Sequence, residues 1–362
     1  MPQKKDHHFV PQFYLRNFGS GNSIPLFNLN KNIYVPEASI PGQCQKPYLY
    51  TRDIRFEENF EKADTEFSKI IQKIIRTSSL PRSWSEEHHS LMRFVIVQKE
   101  RTPAAGRETQ ERMITIGDFV MKNNPPPPDL DVRKVKLEWI NPILFNMQMM
   151  EKMAPTLMDL SMKILINETN TEFITSDSPL AIINQWTMGS AEDGGTALAC
   201  SGLQIFLPIN PKLLILFYDR QIYNVGRQGS ESVKIVRTDD VNSINGLQLL
   251  SAENNLYGKV REVDIAKLPL HWRKLKSVKF KTLRVVYLDG EKDVYQYRPQ
   301  PNTNLNLSFV RLVSEMKKVP LGVRRKYHRK LSSMIQQKIS KANDINFDPG
   351  AIAKEYITLE EK

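Results

Sequence analysis

The sequence predicts an α+β fold with a helix-rich N-terminal half, central β-strands and a basic C-terminal arm that carries a helix. Apolar residues recur at spacings of three and four between residues 56 and 95, and apolar runs of strand length lie between residues 171 and 219. Lys and Arg dominate after residue 270. A chain of 362 residues, 40% of them hydrophobic, is long enough for one large domain or two smaller ones.

The first predicted helix covers residues 56–75. Its apolar face is formed by residues at helical spacing: Phe56, Phe60, Ala63, Phe67, Ile70, Ile71 and Ile74. The second begins after Ser85, a favoured N-cap residue, and ends before Pro103. Its apolar stripe continues into Gln98 and Arg101, and polar side chains on a core-facing stripe need hydrogen-bond partners. These two residues are therefore candidates for a site.

The middle of the chain predicts buried strands. Residues 171–184 form two strands separated by the polar sequence TSDSP, and residues 203–219 form two buried strands joined by a proline-rich turn. The Met-rich segment 137–162 predicts a core helix, and residues 239–258 predict another, with Asp239 or Asp240 near its N-cap.

Three regions follow from composition. We predict a core domain at residues 1–270 with a polyproline loop near 124–129, a basic C-terminal region at 271–343 and a tail at 344–362. The formal net charge is +11, and residues 271–343 alone contain 18 basic and 4 acidic side chains. This local excess favours a nucleic acid as partner. The predicted contacts are the densest basic group: Arg324, Arg325, Lys326, Arg329 and Lys330.

Several classes of protein are disfavoured. The N-terminus MPQKKDHHFV has no apolar export signal, and no apolar run reaches the roughly 18 residues that span a bilayer, so we expect a cytoplasmic protein. The two cysteines, Cys44 and Cys200, form no ligand motif. The sequence contains no phosphate-binding glycine loop, no G-x-S-x-G nucleophile motif and no H-E-x-x-H.

Three motifs carry a resemblance to a known family. HFVPQFYLRNF at residues 8–18, QKERTP at 98–103 and TSDSP at 175–179 resemble, in this order, a bacterial family known as the domain of unknown function numbered 4238. The resemblance extends from about His8 to Tyr257 and leaves out the basic C-terminal part. The chain departs from the family motif in having two adjacent histidines, of which His8 matches by position. The resemblance implies a stand-alone bacterial protein from a family in which some members belong to phage-defence or mobile-element gene clusters, and it implies no settled activity.

His8 and Asp177, together with a carboxylate of the first helix, are the residues expected to carry chemistry. An imidazole and two carboxylates can hold a divalent ion, Mg²⁺ or Mn²⁺, that activates water and polarises a phosphoryl oxygen. We assign the ion to His8, Glu61 and Asp177, with Glu57 and Glu66 as alternative helix carboxylates. Gln98 and Arg101 complete the catalytic set, with Arg101 stabilising phosphate charge.

Each of these assignments has a structural alternative. His8 can be a buried donor that holds the N-terminal turn, and Asp177 can accept backbone N–H groups in an Asx turn before Pro179. Gln98 and Arg101 can form a buried network without a catalytic role. His88 and His89 are expected to be solvated. The basic C-terminal region can be a solvated surface, or it can bind an anionic membrane surface or a protein.

The sequence thus favours a metal-dependent, nuclease-like hydrolase that acts on nucleic acid, plausibly in defence against phage. The alternative is a non-catalytic protein that binds nucleic acid or acts as a sensor and recruits an effector. The two hypotheses differ in whether the imidazole and the carboxylates converge on one solvent-reachable pocket.

Overall fold

A central mixed sheet with helices on both faces organises the protein. The computed structural model describes residues 6–50, 54–123, 141–189, 195–260, 265, 284–287, 294–297 and 303–329. The helices in this part of the chain are α1 (Gln12–Leu15), α2 (Ile54–Thr77), α3 (Glu86–Glu100), α4 (Pro103–Asn123), α5 (Pro142–Met153), α6 (Thr238–Ser251) and α7 (Ser314–Lys317). The α+β class is therefore confirmed.

The strands follow in chain order. They are β1 (Asp6–His8), β2 (Ser23–Asn28), β3 (Ile33–Ser39), β4 (Gln45–Pro47), β5 (Ser161–Asn167), β6 (Thr175–Ser176), β7 (Ala181–Ile183), β8 (Gln204–Asn210), β9 (Leu213–Tyr218), β10 (Tyr223–Val225), β11 (Ser232–Ile235), β12 (Asn255–Tyr257), β13 (Arg284–Tyr287), β14 (Val294–Tyr297) and β15 (Val310–Leu312). The central sheet has the order β11-β5-β9-β8-β7, and a second sheet has the order β3-β2-β12-β6. The pairs β1-β4, β10-β15 and β13-β14 are separate.

The central sheet is buried on both faces, which explains the uninterrupted apolar runs of β8 and β9. Alternate side chains of β8 enter different cores: Ile205 and Leu207 pack with α2 and α3, whereas Phe206 packs with α6. Leu214 and Leu216 of β9 also enter the α6 core. Alternation along a strand with a period of two thus joins two hydrophobic cores through one sheet.

The two long N-terminal helices match their predicted positions. Phe67, Ile71 and Ile74 of α2 are buried, as the periodicity requires. Ser85 caps α3, since its hydroxyl oxygen accepts a hydrogen bond from the His88 N–H at 3.2 Å. His88 itself corrects an expectation, because it is 1% exposed rather than solvated. Its Nδ1 accepts a hydrogen bond from the Trp84 N–H.

Two predicted helices are shorter than expected. The Met-rich helix α5 ends at Met153, and a 3₁₀ turn leads into strand β5 within the predicted helical segment. Helix α6 ends at Ser251, and β12 follows it. Its N-cap is Arg237, without a side-chain hydrogen bond, whereas Asp239 and Asp240 lie in the first turn. Periodicity located these helices but not the strands that follow them.

The C-terminal region differs from the predicted helical arm. Within residues 303–329 the backbone forms β15, the short helix α7 and a 3₁₀ turn at Leu321–Lys326. Strand β15 pairs with β10 of the core, with Tyr223 opposite Leu312. The polyproline loop at 124–129, most of the basic region and the tail at 344–362 lie outside the described residues. The predicted boundaries at 270 and 343 stay predictions.

Candidate functional site

The N-terminal motif forms a short strand followed by one helical turn. Strand β1 pairs with β4, and the Phe9 N–H donates to the Cys44 carbonyl at 2.8 Å. Pro11, with φ −63° and ψ 144°, starts α1, because its ring fixes φ and it has no N–H to leave unpaired. His8 therefore lies at the junction of the strand and the helix, and Gln12 and Arg16 follow it at intervals of four residues.

A chain of hydrogen bonds fixes the tautomer of His8. Arg16 donates to Gln12 Oε1 at 3.0 Å, which sets the orientation of the Gln12 amide. The amide nitrogen lies 2.9 Å from His8 Nε2 and can only donate, so Nε2 is the acceptor. Nδ1 then carries the proton and donates to the Gln43 carbonyl at 3.1 Å. The half-buried His8 is thus an imidazole whose basic nitrogen is Nε2.

His7, the second histidine of the motif, has a structural role. It is buried and stacks on the Tyr50 ring with centroids 5.3 Å apart. Its Nδ1 accepts a hydrogen bond from the Tyr50 N–H at 3.2 Å. The Tyr50 hydroxyl donates to the His8 carbonyl at 3.1 Å. Tyr50 therefore stabilises the position of strand β1, which precedes α1.

Gln98 and Arg101 lie beside the N-terminal motif, and both donate to one carbonyl. Gln98 Nε2 and Arg101 Nε lie 2.9 and 3.0 Å from the Phe9 oxygen. Arg101 is fully buried, and its NH1 group donates to Asp64 Oδ1 at 2.9 Å. The guanidinium also stands over the Phe60 ring at 5.7 Å. Arg101 is held by these contacts without any exposed surface, and its role in stabilising phosphate charge stays a prediction.

Two polar atoms of this cluster lack a partner in the described part of the chain. They are the NH2 group of Arg101, a donor, and Oε1 of Gln98, an acceptor. Leaving such an atom buried and unpaired costs about 1–3 kcal/mol, so natural proteins rarely keep one without a reason. The arrangement around Phe9 is therefore not explained by folding stability alone.

Asp64 is the acidic residue that the sequence reasoning missed. Burial raises the pKa of its carboxyl, the neighbouring Arg101 guanidinium and His8 imidazole oppose that rise, and Glu61 adds to it. Asp64 keeps 25% of its side-chain surface exposed, so the cluster reaches solvent there. The sequence did contain a signal for Asp64. It is an acid within the apolar stripe of the helix, four residues after Phe60 and three before Phe67.

The predicted metal ligands do not form a site among the described residues. Both Asp177 oxygens accept backbone hydrogen bonds, from the N–H groups of Glu253, Asn254 and Asn255 at 2.8, 2.8 and 3.1 Å. Glu61 and Glu66 are exposed, and the side chain of Glu57 lies outside the described residues. Over the described ranges, no three His, Cys, Asp or Glu side chains are grouped to hold a metal ion. The assignment to His8, Glu61 and Asp177 is therefore corrected.

Asp177 instead joins two parts of the second sheet. Its own N–H donates to the Asn255 carbonyl at 3.1 Å, and β6, which ends at Ser176, pairs with β12. Because its carboxylate accepts hydrogen bonds from three N–H groups, Asp177 connects the loop after α6 to the TSDSP turn. The structural alternative is the better description of Asp177, with distant partners rather than those of its own turn.

Five residues were predicted to contact nucleic acid. Two of them pack against the core, and the side chains of the other three lie outside the described part of the chain. Arg329 is 6% exposed, pairs with Asp159 at 3.0 Å and donates to the carbonyls of Thr156 and Cys200. Arg324 donates to the Trp186 carbonyl at 2.7 Å, and its guanidinium stands 5.5 Å from the Trp186 ring. The two arginines hold the segment against the core: Arg329 is buried by its contacts, whereas Arg324 keeps part of its surface exposed, and their contact with nucleic acid stays a prediction. Lys330, and the side chains of Arg325 and Lys326, lie outside the described part.

A comparison with protein families matches residues 6–262 to the model described as a protein of unknown function, DUF4238. The match covers more than half of the chain. The protein belongs to the DUF4238 family. The matched region contains the whole cluster around His8, whereas the docked segment 303–329 lies beyond its end. The resemblance of the three motifs is therefore confirmed.

Other comparisons add no relative. No match to the chain was found among curated proteins or solved structures. Among the described helices, none combines the length and the apolarity that crossing a membrane requires.

Proposed function

We propose that this DUF4238 protein is a hydrolase of phosphodiester bonds in nucleic acid, with its reaction centre at His8, Gln12 and Arg16. The observation that supports it is the fixed tautomer of His8: the Gln43 carbonyl holds Nδ1–H, so Nε2 is available as a general base. Arg16 is exposed on the same helical face and is linked to His8 through Gln12. A base beside an accessible guanidinium suits a phosphate group.

The reaction that these residues would support begins at His8. A water molecule replaces the Gln12 amide at Nε2 and gives its proton to that nitrogen as its oxygen bonds to phosphorus. The bond from phosphorus to one sugar oxygen breaks, and the imidazolium returns the proton to that oxygen. Arg16 neutralises the charge that develops on the phosphoryl oxygens. Gln98 and Arg101 act at a distance, since they hold the Phe9 carbonyl next to His8.

A divalent ion was expected, but the described residues do not fit one. The oxygens of Asp177 are occupied by backbone N–H groups, and no group of three potential ligands occurs in the part of the chain that is described. The steps above therefore use only the residues of the chain, and the test includes metal directly.

The decisive experiment compares nucleic-acid cleavage by wild type, His8→Ala and Arg16→Ala. Labelled single- and double-stranded DNA and RNA are incubated in Mg²⁺, in Mn²⁺ and in EDTA. Removing a general base lowers the rate about 10²–10⁴-fold, and removing the arginine about 10²-fold. The matched controls are His328→Ala and Arg220→Ala, which change an exposed histidine and an exposed arginine elsewhere. Cleavage that His8→Ala leaves unchanged would sink the proposal.

A second candidate is a non-catalytic protein that binds nucleic acid or acts as a sensor. It is supported by the two donors that fasten the Phe9 carbonyl, because a purely structural motif needs the same contacts. The local excess of positive charge at 271–343 supplies the affinity in this case. Salt-sensitive binding without cleavage, in wild type and in both variants, would favour it.

We further propose that the protein acts in the bacterial cytoplasm in defence against phage. This role rests on the expectation, implied by the family resemblance, that some members belong to phage-defence or mobile-element gene clusters. Cells that express wild type are expected to form fewer plaques on phage challenge than cells that express His8→Ala at the same level. Equal plaque counts would contradict the role without touching the cleavage assay.

A further inference from the structure

The carbonyl that holds the proton of His8 belongs to a backbone turn with a rare conformation. The Gln43 carbonyl accepts a hydrogen bond from His8 Nδ1 at 3.1 Å. The next carbonyl, that of Cys44, accepts one from the Phe9 N–H at 2.8 Å. In an extended strand, successive carbonyls point to opposite sides. Cys44 lies between these two carbonyls and has φ 51°, in the left-handed region, which lets both of them face the N-terminal motif.

This conformation is unfavourable for cysteine and has to be held by other contacts. A left-handed φ costs a residue with a Cβ about 1–2 kcal/mol. Cys44 is 6% exposed, and its Sγ lies 3.2 Å from Oη of Tyr257, a fully buried residue of β12. Backbone strain of this kind persists where the surrounding structure fixes it, and it is concentrated at functional sites. Residue 44 therefore connects the carbonyl partner of His8 to the second sheet.

The direction of each hydrogen bond around Tyr257 follows from the groups that only donate or only accept. Gln43 Nε2 donates to the Ser39 carbonyl at 3.2 Å, so the amide oxygen, Oε1, is the atom that faces Tyr257. Because an amide oxygen only accepts, the Tyr257 hydroxyl donates to it, at 3.3 Å. The Cys44 thiol then donates to the Tyr257 oxygen. Burial raises the pKa of the thiol and of the hydroxyl, so each keeps the proton that it donates.

Tyr257 is itself held by the second sheet. The Lys31 N–H donates to Asn28 Oδ1, which leaves the Asn28 amide nitrogen to donate to Asn255 Oδ1 at 2.8 Å. Asn255 Nδ2 then faces the Tyr257 oxygen, 3.4 Å away, and donates to it. Strands β2 and β12, which pair with each other, thus present one oriented hydroxyl to residues 43 and 44.

We propose that Tyr257 is a positioning residue of the His8 site. Its hydroxyl holds the side chains of Gln43 and Cys44, and these two residues supply the carbonyls that bind the His8 ring and the Phe9 N–H. Without the hydroxyl, the Gln43 carbonyl can turn away from Nδ1, and the tautomer with its proton on Nε2 gains population. That tautomer lacks the general base that catalysis needs. The inference rests on the proposed function for its effect on the rate, but not for its effect on the imidazole.

The test measures the histidine tautomers directly, by nitrogen NMR of the full chain with ¹⁵N in its six histidines, at about pH 8, where an ordinary imidazole is neutral. His8→Ala identifies the His8 signals by their absence. Tyr257→Phe removes only the hydroxyl, and Gln43→Met removes its acceptor but keeps the backbone carbonyl. Tyr223→Phe is the matched control, because it also removes a buried hydroxyl that donates a hydrogen bond, in this case to the Gly202 carbonyl.

We expect wild type and Tyr223→Phe to carry the proton on Nδ1, and Tyr257→Phe and Gln43→Met to shift His8 towards the Nε2–H form. On the nucleic acid that wild type cleaves fastest, kcat should fall about ten- to a hundredfold in both variants at unchanged KM. The double variant should be no slower than either single variant, because both remove the same contact. A cooperative thermal transition shows that a variant is folded, and the half-buried Gln43 keeps the test decisive if Tyr257→Phe does not fold.

The outcomes separate this proposal from the proposed function. The positioning role is overturned if folded Tyr257→Phe and Gln43→Met keep the proton on Nδ1 as wild type does. It is also overturned if Tyr223→Phe shifts the proton as far as Tyr257→Phe, since the effect is then a general loosening of the core. A proton on Nε2 already in wild type contradicts both ideas. If wild type cleaves no nucleic acid but the tautomer still changes in Tyr257→Phe, the proposed function fails and the control of His8 by Tyr257 is supported.

Discussion

The N-terminal motif and the C-terminal segment 303–329 both contain polar groups that the sequence marked as functional, but they use them differently. In the N-terminal motif, the exposed Arg16 and the half-buried His8 keep polar atoms near solvent. In the C-terminal segment, Arg329 is 6% exposed, and its guanidinium pairs with Asp159 and donates to two carbonyls. A dense run of positive charge therefore does not reveal which charges remain available to a partner.

The difference has a physical cause. Residues 303–329 dock with apolar and charged side chains together: Leu307 is buried in the core around α6, and arginines add charge-assisted bonds to carbonyls and a cation–π contact on Trp186. The N-terminal helix buries Tyr14 and Leu15 on one face and presents Gln12 and Arg16 on the other. The helix is held by its buried apolar face. Its polar face therefore remains available for contacts with a ligand.

The largest expected effect concerns the ion pair behind the N-terminal motif. Asp64→Ala leaves the buried charge of Arg101 without its partner, and we expect the free energy of unfolding to fall by about 3–5 kcal/mol. Urea denaturation measures this loss. The double variant Asp64→Ala/Arg101→Met, which removes both charges, is expected to recover much of the stability. If the single and double variants are equally unstable, the pair does not couple as the 2.9 Å contact implies.

The next effect tests the C-terminal side of the comparison. Arg329→Ala removes the ion pair with Asp159 and two hydrogen bonds to carbonyls, so unfolding should become easier by about 3 kcal/mol. Lys317→Ala, at an exposed lysine of the same segment, serves as the control and should change stability little. Denaturant unfolding is the measurement. Weaker nucleic-acid binding with unchanged stability would restore the role that charge density suggested.

Local periodicity predicted much of the N-terminal half. The stripe of α2 and the capped start of α3 follow from spacings within one element, and so does the placement of Gln98 and Arg101 on the core side. Even Asp64 was visible as an acid within an apolar stripe. These features depend on residues a few positions apart, which a single sequence displays directly.

Partners far apart in the sequence were not predictable. Asp177 binds N–H groups 76 to 78 residues later, and Tyr223 pairs with Leu312 across the docked segment. Nothing in the spacing of Asp177 or of Arg329 specifies these partners, because tertiary packing decides them. The assigned metal ligands are not grouped among the described residues for this reason: the three residues were chosen by chemical type, not by evidence of proximity, and the need for a metal ion stays a prediction.

A smaller effect is a dependence of the free energy of unfolding on pH, caused by a buried histidine of α3. Burial lowers the pKa of His88, at the start of α3, from 6.5 to about 4. The folded state thus favours the neutral imidazole, and this contribution is complete above pH 6.5 and is lost as the pH falls towards 4. We expect roughly 2 kcal/mol of such loss, measured by urea unfolding against pH, and a shallower decline in His88→Leu. His328→Ala, at an exposed histidine, is the matched control; a decline identical in wild type and His88→Leu would contradict the assignment.

The smallest effect asks whether Asp177 is structural. Asp177→Asn keeps one acceptor oxygen but loses the charge that three backbone N–H groups share, so stability should fall by about 1–2 kcal/mol. The control Asp239→Asn, at an exposed acid in the first turn of α6, should have almost no effect. Cleavage per folded molecule should stay at the wild-type rate, because the carboxylate faces the loop 253–255 rather than a substrate. Loss of cleavage in a stable Asp177→Asn variant would instead return Asp177 to the reaction centre, and the Nε2 of His8 would no longer account for the chemistry alone.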